Sequence, residues 1–250
     1  MIEPLTATTT PEYHGEEIRR MAAPVPTTDQ HKAGGIWPLV HAERAALAED
    51  LASLDDAQWA HPSLCEGWVI EDVVAHLTAG ASIGTLRWFA GVLGARFDFD
   101  LYNDRRLAEY RGATPAETLE RFRRIVTSTT SAPVPTAACL GEIVVHAQDI
   151  RRPLGLVRMP SVRAVTEVAR FYARQNSTVP SRTAIEGLRV EATDGPFAAG
   201  AGPLVSGTTL ALIMVMAGRR AYCDDLTGPG VSIVRARCSS ADRKPGETAP

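Results

Sequence analysis

The sequence predicts an α+β protein, a long run of helices followed by a small mixed unit, and three observations point there. From Pro38 to Arg174, apolar residues recur at helical spacing in segments separated by proline- and glycine-bearing links. After Pro180 the period shortens to two in LRVEATDGPF, with Asp194-Gly195 at its centre as a turn. Within the helical part, GEIVVHAQDIRR (141–152) sets Glu142 and His146 four residues apart in an apolar run. Residues four apart stack on one face of a helix, and a helix seldom buries a carboxylate that has no partner or metal.

The first 35 residues carry four prolines and no apolar periodicity, so a disordered arm is expected there. They also lack the continuous apolar core of a secretory signal. Pro38 opens a helix, LVHAERAALAEDLASL, with Leu39, Val40, Leu47, Leu51 and Leu54 inward. Glu43, Arg44, Glu49 and Asp50 are assigned to its outer face. DDAQWAHPSLCEGW breaks it at Pro62 and Gly67.

A second helix is read through VIEDVVAHLTAGASIGTLRWFAGVL, with Val69, Val73, His76, Gly80 and Ile83 along one face. A shorter one follows across Asp100 to Tyr110. Thr114-Pro115-Ala116-Glu117 is a capping-box start for a helix running to about Thr129. The helix bearing Glu142 and His146 spans Thr136 to Arg151, ended by Pro153 and Gly155, and another covers Ser161 to Arg174. These segments make an up-and-down helical bundle over residues 36–178.

Residues 179–238 form the small α+β unit: the hairpin, GAGPLVSG as a glycine-rich link, one apolar helix in GTTLALIMVMAGRR, and VSIVRAR as a closing strand. Residues 239–250 are read as a disordered tail.

Composition narrows the function classes. At 45% apolar and 22% charged residues the chain reads as an ordinary globular protein. A formal charge of −3 without a basic block gives no case for nucleic acid. The longest apolar run, Leu210 to Ala217, is too short to span a bilayer. Cys65, Cys139, Cys223 and Cys238 lack CxxC spacing, which disfavours a disulfide framework or a zinc knuckle and points to a reduced, cytoplasmic protein. There is no GxSxG nucleophile turn, and the glycines of GAGPLVSG do not have phosphate-loop spacing.

A catalytic divalent metal takes three protein ligands and keeps a position open. Glu142 and His146 offer two from one helix, and His76, inside the apolar stripe of the second helix, is the best third. The same residues also fit hydrogen-bonded core histidines with Glu142 paired to an arginine. His14 and His31 lie in the arm, His41 on a helix face and His61 in a turn, all read as solvated.

LCEGWVIEDVVAHLT, then GEIVVHAQDIRRPLG, then a later AGR, resembles the mycothiol-dependent maleylpyruvate isomerase family over roughly Ile36 to Arg237. The resemblance implies a DinB-like four-helix metal-binding bundle with a small α+β C-terminal domain. It implies a metal on His76, Glu142 and His146, zinc by preference, and mycothiol as the thiol cofactor. It also implies an arginine near the site, at Arg219 in Ala217-Gly218-Arg219 or at the adjacent Arg220. A metal-bound thiolate would add to an electrophilic small molecule, as isomerase or S-transferase, with Arg219 holding a carboxylate. The contrasting reading is a non-catalytic metal-binding or regulatory protein on the same scaffold. Monomer and homodimer both stay open.

Val69 stands where the family has Ser or Thr, so the second helix is expected to fray. Cys65 and Cys139 read as packing. Asp149 reads equally as a ligand-orienting acceptor or as a solvated helix-end acid.

Overall fold

A computed structural model describes residues 35–94, 99–177 and 179–241. The arm expected over residues 1–35 lies outside them up to residue 34, and the tail does so from residue 242.

The helices fall close to the expected places. They are α1 (Trp37–Leu51), a short α2 (Asp56–Trp59), α3 (Ile70–Gly80), α4 (Thr85–Gly94), α5 (Phe99–Tyr110), α6 (Pro115–Arg124), α7 (Thr136–Arg151) and α8 (Val162–Arg174). α3 packs on α5, α6 and α7, and α1 on α6 and α7, which makes the helical bundle. The expected single helix from Val69 to Leu93 is two, because the backbone turns through Ala81–Gly84 before α4 starts. Ile83 is still buried after the break, which is why its place on the stripe read as helical.

Three assignments on α1 are corrected. Glu43 and Arg44 are buried rather than outward. Arg44 lies across the end of α6, where its Nη1 donates to the carbonyls of Ile125 (3.0 Å) and Ser128 (2.8 Å). A guanidinium there satisfies orphan carbonyls and opposes the negative end of the helix dipole. Asp50 is half-buried and paired to fully buried Arg151 at 2.7 Å. Only Glu49 faces out as read.

The start of α3 is better held than expected. Val69 sits at the N-cap in extended backbone and its side chain makes no cap bond. Asp72 nevertheless reaches back, accepting from the Val69 N–H at 3.1 Å, and it also accepts from Arg111 at 2.7 Å. Half of the capping box survives without its hydroxyl.

After a short α9 (Ser181–Ala184) come β1 (Arg189–Ala192), β2 (Ala198–Gly200), β3 (Leu204–Gly207), α10 (Thr209–Met216), a 3₁₀ turn (Arg220–Asp225) and α11 (Val231–Ala241). The sheet order is β2-β1-β3, antiparallel between β1 and β2 and parallel between β1 and β3, with Val190 opposite Val205. The glycine-rich link therefore supplies the third strand. Gly200 serves this turn, since its φ is +74° and a Cβ there would meet the Leu188 carbonyl at 2.1 Å.

VSIVRAR is a helix, not a strand. Val231, Val234 and Cys238 repeat at helical spacing and turn inward, and the helix continues through Ala241 into what was read as tail. One apolar core runs from Val40 in α1 to Cys238 in α11, so the bundle and the mixed unit share it. Among the described residues no helix is long and apolar enough to cross a membrane.

Candidate metal and thiol site

The site lies where α3 and α7 face each other. Both helices are buried along most of their length, but His76, Gly80, Glu142 and His146 are only half-buried, a stripe of i, i+4 pairs open to solvent. His76 Nε2 lies 3.3 Å from Glu142 Oε1, and the imidazoles of His76 and His146 meet edge-on with centroids 5.1 Å apart. His76 thus lies against both Glu142 and His146 across the two helices.

Gly80 makes the room. A Cβ at that position would come 3.1 Å from Glu142 Oε1, tighter than an ordinary contact. Gly141 does the same service behind the site, where a Cβ would run into the Tyr172 hydroxyl at 2.8 Å.

Asp149 resolves from the two readings it had into one. It is fully buried, and its Oδ2 accepts from His146 Nδ1 at 2.9 Å. A carboxylate only accepts, so the imidazole carries its proton on Nδ1 and keeps its Nε2 lone pair free for a ligand role. Arg219 grips the same carboxylate with Nε (3.0 Å to Oδ1) and Nη2 (2.7 Å to Oδ2). Burial raises the Asp149 carboxyl, but the bonds and charges of His146 and Arg219 outweigh it and hold it far below the usual range. Burial lowers His146, more than Asp149 raises it, which keeps the ring neutral. Glu142 is pushed up by burial, yet the hydrogen bond from His76 leads the opposing effects and the net shift is downward.

Arg219 arrives here through its local fold. The Arg219 N–H bonds the Met214 carbonyl and the Gly218 N–H bonds Val215, with Gly218 at φ +86°, a Schellman end to α10. Arg219 is turned inward while Arg220 is exposed, which separates the two candidates. The guanidinium fork is spent on Asp149, and Nη1 donates to the Ala217 carbonyl at 2.7 Å, so it cannot also clamp a carboxylate bidentately. A guanidinium has five N–H donors. Asp149 takes two, Ala217 one and Cys65 Sγ, 3.7 Å from Nη2, a fourth, which leaves one on Nη1 for a ligand.

Two site residues were not legible in the sequence. Cys65 donates its thiol to Asp149 Oδ2 at 3.2 Å and lies 3.6 Å from His146 Nδ1. Burial, with the Asp149 charge beside it, pushes this thiol up to about 12, so it stays protonated. Trp68 lays its ring 5.1 Å from that of His76. Both belong to the LCEGW turn, which is fastened to α7 by the Leu64 N–H on the Asp149 carbonyl at 3.1 Å. The turn therefore braces both ligand helices.

The ligand atoms of His76, Glu142 and His146 do not all lie within 4.8 Å of one another; among the described residues the group that does is Cys65, His146 and Asp149. It is a poor cation site, because the Arg219 guanidinium already occupies both oxygens of Asp149. The half-buried stripe of His76, Glu142 and His146 offers two imidazoles and a carboxylate, with Asp149 on the far ring nitrogen of His146.

Comparison with known proteins follows the same lines. The family described as "Mycothiol maleylpyruvate isomerase N-terminal domain" matches residues 40–151. A search of curated proteins finds no match. Among solved structures, the chain is similar to a crystal structure of a histidine-to-alanine mutant of the mycothiol-dependent maleylpyruvate isomerase, at 17% identity and a TM-score of 0.55. It is similar also to a crystal structure of the mycothiol-dependent maleylpyruvate isomerase, at 15% identity and a TM-score of 0.50. Each likeness covers 77% of this chain and 91% of that chain, and at such identities it concerns the fold. Over residues 40–151, then, the chain is similar to the family of the mycothiol maleylpyruvate isomerase N-terminal domain.

Proposed function

We propose that this protein is a metal-dependent enzyme that uses a low-molecular-weight thiol, mycothiol by family, to isomerise or S-conjugate an electrophilic small molecule. The observation that carries the reading is the half-buried stripe of His76, Glu142 and His146, with Asp149 on the far nitrogen of His146. His76, Glu142 and His146 would hold the cation. When bound there, a divalent ion such as zinc supplies the Lewis acidity that keeps a thiol sulfur ionised at neutral pH.

The chain's own groups set the conditions for that chemistry. Asp149 holds the His146 proton on Nδ1 and aims the ring. Trp68 packs beside His76 and limits its rotation. Arg219 places a fixed positive charge at the inner wall, with one Nη1 N–H for a carboxylate or carbonyl oxygen of thiol or substrate. Cys65 stays a thiol, donating to Asp149, and is not the attacking sulfur.

A non-catalytic metal protein would close its site with a fourth side chain. Cys65 and Asp149 both sit on the Nδ1 side of His146, where Arg219 already takes the Asp149 carboxylate. That favours the open, catalytic reading. Metal analysis of tag-free protein tests it first. The expected result is close to one equivalent in wild type and near none in His76→Ala; less than a tenth of an equivalent in wild type, or no loss in the variant, contradicts it. Thermal shift with millimolar mycothiol then tests the second step. A rise is expected only with metal present, and no shift in the metal-loaded protein argues against thiol use.

A further inference from the structure

The last residue of the LCEGW turn has a property that bracing the helices does not need. Trp68 is held by its backbone: its N–H bonds the Cys65 carbonyl at 3.1 Å, and its carbonyl accepts from the N–H and the Oγ of Ser63, each at 2.9 Å. Its ring lies 5.1 Å from that of His76, at an interplanar angle of 52°. Rings tilted in this way do not lie flat on one another, so His76 does not cover the indole face. The ring is half-buried, Glu66 and Gly67 beside it are exposed, and among the described residues its N–H has no hydrogen-bond partner. A packed indole usually gives its N–H to some acceptor. The aromatic rings behind α7 are closed off by contrast. Tyr172 is buried against Gly141, and Tyr222 is buried with the Arg152 guanidinium over its ring. Of these three rings, Trp68 is the one that a ligand on the stripe can touch.

We infer that Trp68 is a specificity-determining residue, whose indole is the platform for a sugar or cyclitol ring carried by the thiol that binds at the stripe. The inference rests on the thiol reading proposed above and names the part of the thiol that this chain recognises. A ligand held by its sulfur at His76, Glu142 and His146 has the next part of its length beside the indole, because Trp68 packs on His76. The electron-rich indole face attracts the C–H bonds of a saturated ring, which the neighbouring oxygens polarise, and it covers them while the hydroxyls stay in water. The indole N–H then has a hydroxyl oxygen to donate to. A peptide thiol such as glutathione suits the turn less. It brings no ring to stack, and the exposed carboxylate of Glu66 next to Trp68 repels its carboxylates.

Trp68 also packs on a proposed metal ligand, so a substitution there acts through His76 as well. That effect weakens every thiol alike. Loss of a ring platform weakens only the thiol that carries a ring, and the ratio between two thiols separates the roles.

Calorimetric titration of the zinc-loaded full-length protein compares three probes: mycothiol, whose sulfur arm bears a sugar and a cyclitol, N-acetylcysteine amide, which has that arm alone, and glutathione. Wild type is expected to prefer mycothiol to the amide by about tenfold or more, the scale of ring stacking on an aromatic face. In Trp68→Leu the preference should fall to about twofold or less, with Trp68→Phe, which keeps a face but no N–H, between the two. Saturating mycothiol should also shift the tryptophan emission of wild type and leave that of Trp68→Leu unchanged, a readout independent of turnover. Equal binding of mycothiol and the amide by wild type, a preference that survives Trp68→Leu, or glutathione binding as tight and as dependent on Trp68 as that of mycothiol would overturn the inference and leave the thiol reading standing. Wild type that binds none of the three would overturn the thiol reading and the inference with it.

Discussion

Replacing Asp149 by asparagine keeps the shape and removes the charge on which the site converges. Four donors aim at this carboxylate: two from Arg219, one from His146 and one from Cys65. Removing one member of a buried ion pair costs about 3–5 kcal/mol, because the other charge is left without its counter-ion. The Arg219 side chain is still 17% exposed, so water takes up part of that load and the lower end applies, about 3 kcal/mol. For a chain of this size that lowers the melting temperature by roughly 6–12 °C.

The pH dependence carries a sign of its own. Asp149 has a folded pKa far below its unfolded value near 4, so its contribution is fully present above the unfolded value and is lost as pH falls toward the folded one. Urea unfolding of the metal-free protein should therefore show wild type and Asp149→Asn separated by a constant gap above about pH 5, narrowing below about pH 4. A gap under about 1 kcal/mol at pH 7, or one that widens in acid, would refute the buried-pair account.

Two further substitutions separate site from scaffold. Gly80→Ala places a methyl against Glu142 Oε1, and should weaken metal affinity about tenfold while leaving stability within about 1 kcal/mol, measured by competition with a chelating dye; unchanged affinity would mean that Glu142 does not need this space. Val69→Thr restores a hydroxyl at the N-cap of α3, where the backbone is already extended, and should add about 1 kcal/mol in denaturant unfolding. No gain would mean that the Asp72 bond alone already saturates this end.

What could be read in the sequence depended on whether local pattern or tertiary contact decides. α7 came out with both of its ends because Pro135 and Pro153 bracket one unbroken helical pattern. His76, Glu142 and His146 were visible because polar side chains stood out on apolar stripes. VSIVRAR was misread because a run of seven fits both periods, and only packing of Val234 and Cys238 on the core decides it. Arg44 looks like a surface charge until α6 is seen ending against it, and Glu43 until the Ser161 N–H is seen on its carboxylate, contacts that no spacing along α1 can reveal. Cys65, Trp68 and Arg219 come from distant segments and meet at Asp149 and His76 only in the fold. The spent fork of Arg219 was invisible for the same reason: its partner is 70 residues away.

The central claim is that His76, Glu142 and His146 hold a cation with a position open to a thiol. Cobalt(II) titration of the metal-free protein tests it most directly, followed by addition of mycothiol and a search for a sulfur-to-cobalt charge-transfer band. The account predicts visible ligand-field absorption saturating at one equivalent, a new near-ultraviolet band with thiol, and loss of both in Glu142→Gln. Cobalt binding that survives Glu142→Gln, or a charge-transfer band present before thiol is added and abolished by Cys65→Ala, would contradict it and move the metal to Cys65, His146 and Asp149.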